Sequence, residues 1–179
     1  MTAAARRRRA AVAERLLSGA PRRAPALDWD TLGDAPAWLA LDDDAFATFQ
    51  CRVGALLYAG VLRLWIDRGR LAAAQRALGA PFMEALLSKQ DEVMLGPDLA
   101  ACLEIEGPAH VQPALRLAGA SVLLAALPAG ALCDAVGELL APVIAATMAP
   151  PRALSLVARA EALARDTTPA EAAREGAGA

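Results

Sequence analysis

The chain has 179 residues, enough for one domain with a sizeable buried core, and a formal net charge of −2 at pH 7. Hydrophobic residues make up 56% of the chain but aromatic residues only 4%, so alanine and leucine supply most of the apolar surface. Both are strong helix formers, and β-branched residues are sparse, which predicts an all-α protein. The basic residues are too clustered in the sequence for a general nucleic-acid-binding face.

The beginning of the chain is strongly basic. Seven of the eighteen basic residues lie between Arg6 and Arg23, and a glycine- and proline-rich stretch follows the arginines. We therefore expect residues 1–26 to form a flexible arm, or a loosely docked helix, that can meet an anionic lipid surface or an acidic partner. A single helical domain is expected over residues 27–166, followed by a frayed or disordered tail over residues 167–179.

The segment after the arm, residues 28–44, contains six aspartates and no basic residue. Trp29 and Trp38 bury large areas wherever they dock, so we expect them to hold this segment onto the helical body; alternatively, they anchor a partner protein. The aspartate triplet at 42–44 is typical of a helix N-terminus, because carboxylates accept hydrogen bonds from first-turn amides. With no neighbouring histidine or cysteine, the triplet is a poor metal site.

A long central helix is predicted over residues 45–67, where apolar positions recur at three- and four-residue steps. Its apolar face is broad, which is typical of a helix that contacts neighbours on several sides. Arg52 and Arg63 are eleven positions apart, or about three turns, and so project to the same side. We expect both to reach water or carboxylates. Gly69 is expected to end this helix.

Two short helices are predicted next, with Gly79 as the C-terminal cap of the first and Pro81 in the first turn of the second. Residues 101–106 fit either a helix end or a minor strand. Two apolar helices follow at about 111–127 and 129–148.

The long uncharged run at residues 117–133 is rich in alanine and glycine and contains a proline, so we interpret it as core rather than a membrane span. An amphipathic helix after Pro151 completes a compact irregular bundle of about six to eight helices. Its expected inward face comprises Leu154, Leu156, Val157, Ala160 and Leu163.

The sequence offers few groups for catalysis. His110 is the only histidine, and Cys51, Cys102 and Cys133 are widely spaced among apolar neighbours, as expected of reduced, buried thiols. There is no glycine-rich phosphate loop, nucleophile elbow or paired-cysteine motif. We therefore expect a protein that is not an enzyme and has no catalytic, cofactor or metal site.

Residues 49–96, FQCRVGALLYAGVLRLWIDRGRLAAAQRALGAPFMEALLSKQDEVMLG, resemble the K component of bacterial type III secretion sorting platforms, the SctK/YscK family. The pattern is an apolar helix with an early arginine and glycine and a late arginine, then a break and two leucine-rich helices. Residues 117–141 are similar to the C-terminal helices of that family, so the resemblance covers about residues 27–148. The matching positions are Arg52, Gly54, Arg63, Leu71, Leu78, Leu86, Leu87 and Gly96.

The resemblance implies a non-enzymatic adaptor in the cytoplasm, peripheral to the inner membrane. In that family the protein links the cytoplasmic domain of the membrane ring's D component to the Q component, which forms the pods around the export ATPase. Membrane contact is then indirect, and neither nucleic acid nor a small-molecule substrate is expected. Two alternatives remain open: a regulator that binds nucleic acid through the arginine-rich arm, and a bundle that binds a small apolar ligand between helices 45–67 and 117–148.

Charged residues cluster where the long central helix is predicted to end. Arg63, Asp67, Arg68 and Arg70 place fixed charge at an exposed corner, and we interpret them as partner contacts. Trp38 is the remaining candidate partner contact.

Overall fold

The computed structural model describes residues 2–88, 105–140 and 148–167, and in this part of the chain the all-α prediction is confirmed. The described residues form nine α-helices and no strand. The helices are α1 (Ala3–Gly19), α2 (Trp29–Gly33), α3 (Asp43–Leu57), α4 (Ala59–Leu64), α5 (Arg68–Leu78), α6 (Ala80–Ser88), α7 (Pro108–Ala125), α8 (Ala131–Leu139) and α9 (Pro150–Thr167). Short 3₁₀ turns at Ala24–Ala26 and Ala37–Ala40 connect α1, α2 and α3.

Some sequence expectations fall outside the described residues. They include most of the minor strand suggested at 101–106, of which only Ile105 and Glu106 are described, with neither helix nor strand. The frayed tail expected from residue 167 also lies outside the described part, apart from Thr167, which ends α9.

Helices α3 and α7 pack against each other and share the most extensive helix–helix contact within the described part of the chain. The crossing depends on two glycines. A Cβ atom at Gly54 would lie inside van der Waals distance of the Leu115 carbonyl oxygen and 2.9 Å from the Gly119 nitrogen. A Cβ atom at Gly119 would in turn lie 2.7 Å from the carbonyl carbon of Gln50. Each glycine therefore lets the backbone of one helix touch the other.

The predicted central helix is divided in the structure. Asp42 caps its start by accepting a hydrogen bond from the Ala45 amide at 2.8 Å, as the aspartate triplet predicts. One residue, Tyr58, then separates α3 from α4, and the link of residues 65–67 is not helical. The expectation of one helix to residue 67 is therefore wrong.

Gly69 does not end the central helix, as the sequence had suggested. It lies in the first turn of α5, where its amide donates to the Asp67 carboxylate at 2.7 Å. Asp67 therefore starts a new helix, because its side chain occupies a first-turn amide. At the other end of α5, Gly79 has φ 84° and caps the helix through its amide, as predicted.

Arg52 and Arg63 lie on separate helices, α3 and α4, and each donates to a backbone carbonyl oxygen. Arg52 Nε donates to the carbonyl oxygen of Leu78, the last residue of α5, at 3.1 Å. Arg63 Nη2 donates to Leu86 in the last turn of α6, also at 3.1 Å. The final carbonyls of a helix lack intrahelical partners and carry partial negative charge, so each arginine stabilises the end of a helix.

Of the two alternatives expected for residues 1–26, a flexible arm or a loosely docked helix, the N-terminal segment adopts a docked helix. It forms α1, whose Val12 and Leu16 are fully buried in the same core as the other helices. Arg15 lies within 3.0 Å of both the Asp43 carboxylate and the Leu39 carbonyl oxygen. Val12 and Leu16 form an apolar stripe on α1, and its burial holds the basic helix against the core.

The C-terminal helices follow the prediction with shifted ends. Helix α7 starts earlier than expected, with Pro108 as its first residue, and α8 ends at Leu139. On α9, four of the five residues expected to face inward are buried, but Leu154 is 54% exposed. Among the described residues, no helix combines the length and apolar character that a membrane crossing requires.

Candidate functional site

The candidate site is the corner between α4 and α5, residues Arg63 to Arg70, which we call the 63–70 corner. Helix α4 ends at Leu64, and Trp65 continues in an extended conformation. Trp65 is half-buried and packs against the core, whereas its neighbours Leu64 and Ile66 are 81% and 95% exposed. Since successive side chains of an extended link point in opposite directions, the inward tryptophan turns Ile66 toward solvent.

The Arg70 side chain contacts two residues of the link and the residue Glu106 before α7. Its guanidinium lies over the Trp65 ring, 6.0 Å from the centroid, and its Nη2 donates to the Glu106 carbonyl oxygen at 2.9 Å. Its Nε lies 3.5 Å from the Asp67 carboxylate, which is an ion-pair distance rather than a hydrogen bond. Arg70 therefore joins the corner to the start of α7.

Of the four charged residues that the sequence predicts at this corner, Asp67 and Arg70 form an ion pair. Arg63, Asp67 and Arg68 are exposed, and Arg70 is partly buried. The Asp67 carboxylate already accepts from the Gly69 and Arg70 amides and pairs with the Arg70 side chain. Residues 63–70 contain three arginines and one aspartate, so the side chains of the corner carry net positive charge.

Trp38 does not belong to this surface, and its interpretation as a partner contact is corrected. It is only 3% exposed and stacks on Phe46, with ring centroids 6.0 Å apart. The Arg15 guanidinium lies over the same Phe46 ring, 4.4 Å from its centroid. Trp38 therefore fastens the 3₁₀ turn to α3, as the other reading of the tryptophans predicted. Trp29 is the more exposed tryptophan, with Arg9 over its ring.

The described positions of the family pattern serve the fold. Leu78 and Leu86 are buried, Leu71 and Leu87 are half-buried against the core, and Gly54 lies at the α3–α7 crossing. Gly96 lies outside the described residues.

The arginines of α1 are partly engaged with the body of the protein. Arg8 donates to the Ala35 carbonyl oxygen, and Arg9 lies over Trp29. Arg6 and Arg7 are exposed. The nucleic-acid alternative relied on a free basic arm, and this arrangement presents fewer cations than that arm would.

The described titratable groups show one strongly shifted thiol. Burial raises the pKa of the Cys51 thiol to about 11, and the positive charge of Arg116 lowers it by less. Burial, with help from Asp134, also raises the pKa of Cys133. His110 is exposed in the first turn of α7. Over residues 2–88, 105–140 and 148–167, no three histidine, cysteine or acidic side chains are grouped as a metal ion would need.

Sequence reasoning located the charges of the corner but missed its apolar members. Leu64 continues the three- and four-residue apolar spacing of residues 45–67, and that spacing predicts an inward position for it. That spacing requires an unbroken helix, and the interruption at Tyr58 ends it. Asp67 was the available signal, since aspartate is a favoured N-cap and a helix that starts after it leaves Leu64 and Ile66 outside a continuous central helix.

Comparisons of the chain with protein-family models, with curated proteins and with solved structures find no match.

Proposed function

We propose that this protein is a non-enzymatic adaptor of the type III secretion sorting platform. It links the cytoplasmic domain of the inner-membrane ring's D component to the Q component of the pods. It acts in the cytoplasm, peripheral to the inner membrane. The observation that supports this most directly is the SctK/YscK-like pattern over residues 49–96.

Three positions of that pattern make contacts that hold helices together. Arg52 and Arg63 each bind the carbonyl end of a following helix, and Gly54 allows the central crossing. These contacts tie α3 to α5 and α7, and α4 to α6. A framework of this kind suits an adaptor, which needs a fixed distance between two binding surfaces more than it needs a reactive group.

The surface of the described chain is also compatible with two partners of different chemistry. One side has the net positive 63–70 corner with its two exposed apolar side chains. Elsewhere a groove between α2 and the α7–α8 loop is lined by Asp28, Asp30 and Asp34 together with apolar residues of that loop. Oppositely charged surfaces favour different partners and suppress the exchange of one for the other.

The test of this function is deletion of the gene in the bacterium that carries it. We expect secretion of type III substrates to stop while the membrane rings still assemble, because the adaptor acts beneath the ring. The wild-type gene supplied in trans should restore secretion. Normal secretion by the deletion strain would contradict the proposal.

A further inference from the structure

We propose that the 63–70 corner is the docking surface for an acidic protein segment that also carries apolar side chains. This inference rests on the proposed function and deepens it, since it names the surface and the chemistry by which one of the adaptor's two partners is held.

The apolar part of the argument comes from Leu64 and Ile66. Both are almost fully exposed, whereas Leu62, two residues earlier, is fully buried. Scattered apolar residues are normal on a protein surface, but here two large ones flank a docked tryptophan, one at the end of α4 and one in the link that follows. Leu64 and Ile66 contribute little to the packing of the described fold. A partner that buries them therefore gains the free energy of removing both side chains from water, and no contact of the described fold is lost.

The electrostatic part comes from the side chains around them. Arg63 and Arg68 are exposed beside the two apolar residues, and the carboxylate of Asp67 is already held by Arg70 and by first-turn amides. A partner that approaches Leu64 and Ile66 therefore meets net positive charge. Carboxylates on that partner would be attracted, whereas basic side chains would be repelled.

The corner is also organised before binding. The Arg63 side chain is held at the Leu86 carbonyl oxygen and the Arg70 side chain at the Glu106 carbonyl oxygen. Asp67 fixes the start of α5. A surface whose side chains are already ordered loses less conformational entropy on binding, so a small contact can contribute usefully to affinity.

Two other occupants have related chemistry. An anionic bilayer would also attract arginines and apolar side chains, but two apolar side chains with so few cations make a small anchor for a membrane. Residues 89–104 of this chain combine acidic and apolar residues in their sequence as well. The following experiments separate both from a protein partner.

The first experiment uses the full chain with Ile66→Cys and follows thiol labelling at position 66 by peptide mass spectrometry. We expect fast labelling of the free protein, and protection when the purified D-component domain or the Q component is added. Slow labelling of the free protein would overturn the inference, because the chain itself would then cover the corner. Protection by phosphatidylserine vesicles instead of by either protein would also overturn it.

The second experiment measures binding of the full chain to each purified partner. Replacing both Leu64 and Ile66 by serine should weaken the affinity for one partner about tenfold or more, since two buried apolar side chains are lost. The affinity for the other partner should not change, because an adaptor uses separate surfaces. The matched control is Leu17→Ser, which removes an exposed leucine from α1, outside both surfaces, and should weaken neither interaction.

Reversing one positive charge of the corner tests the electrostatic part of the inference in the same binding measurement. Arg68→Glu should slow association with the affected partner several-fold at low salt, and the difference should shrink as salt is added. Arg7→Glu reverses an exposed arginine on α1 and is the control.

These binding measurements can reject the docking surface without rejecting the proposed function. If wild-type protein binds both partners and the corner variants bind equally well, the docking surface is wrong and the adaptor function stands. If the wild-type chain binds neither partner, the proposed function fails and the inference fails with it.

Discussion

The α3–α7 crossing and the 63–70 corner use side-chain size in opposite ways. At the crossing, Gly54 and Gly119 carry no side chain, so the two backbones touch and any added atom would collide. At the corner, Leu64 and Ile66 carry large apolar side chains that remain almost fully exposed. The residues of the crossing are explained by the fold, whereas those of the corner contribute little to it. Binding is therefore the function to test at the corner.

The largest expected effect is the difference in stability between variants of two leucines on α4. Leu62→Ala removes a fully buried side chain, and we expect it to lower the free energy of unfolding by about 2–5 kcal/mol. Leu64→Ala, two residues later, should change it by less than about 0.5 kcal/mol because that side chain is exposed. Chemical denaturation of both variants measures the difference. Equal losses would mean that Leu64 is packed and that the corner is part of the core.

A second pair of variants tests the crossing itself. Gly54→Ala should lower the free energy of unfolding by about 2 kcal/mol, because the new methyl group meets the backbone of α7. Gly60→Ala is the matched control on α4, where nothing lies within 4 Å of the added atom. There alanine should raise stability by up to about 1 kcal/mol through its helix propensity. A Gly54 variant as stable as the control would contradict the close approach.

Arg52 contributes to the fold and Arg68 lies at the exposed corner, so replacing them should also change stability by different amounts, although by less than the variants above. Arg52→Met keeps most of the side-chain volume but removes the hydrogen bond to Leu78 and the cation over the Phe82 ring. We expect a loss of about 1–2 kcal/mol in the free energy of unfolding. Arg68→Met at the exposed corner should stay within about 0.5 kcal/mol. Thermal and urea unfolding should rank them in this order, and the reverse order would refute the helix-end role of Arg52.

The smallest expected effect is a difference in reactivity between the thiols of Cys51 and Cys133, and it involves no change in stability. At pH 8, Cys51 should react with iodoacetamide at least about ten times more slowly than Cys133, because it is buried and its pKa is raised to about 11. Its rate should rise as the pH approaches 11, since only the thiolate reacts. In denaturant the two cysteines should react alike. Peptide mass spectrometry reads each site separately, and equal rates in the native protein would contradict the burial.

Local signals of the sequence predicted much of this architecture. The aspartate at 42, the glycine at 79 and the apolar spacing of α3 each act within one or two turns, so they could be recognised without the fold. The charges of the corner were also found, because Arg63, Asp67, Arg68 and Arg70 are close in sequence. Their grouping needed no long-range contact.

The features that the sequence did not reveal depend on distant partners. Arg52 and Arg63 find carbonyl groups more than twenty residues away. Trp38 stacks on Phe46 of α3, and Arg15 of α1 lies over the same Phe46 ring. Gly119 is one of several glycines in its region, and only the path of α3 makes it essential to the crossing. The docking of α1 likewise depends on a groove that other helices form.

The central claim is that this chain joins two proteins at once. Size-exclusion chromatography with light scattering, on a mixture of the full chain, the D-component cytoplasmic domain and the Q component, tests it most directly. We predict one complex that contains all three proteins and that separates into its two partners when the chain is omitted. Mutually exclusive binding of the two partners, or the absence of any complex with the chain, would contradict the claim.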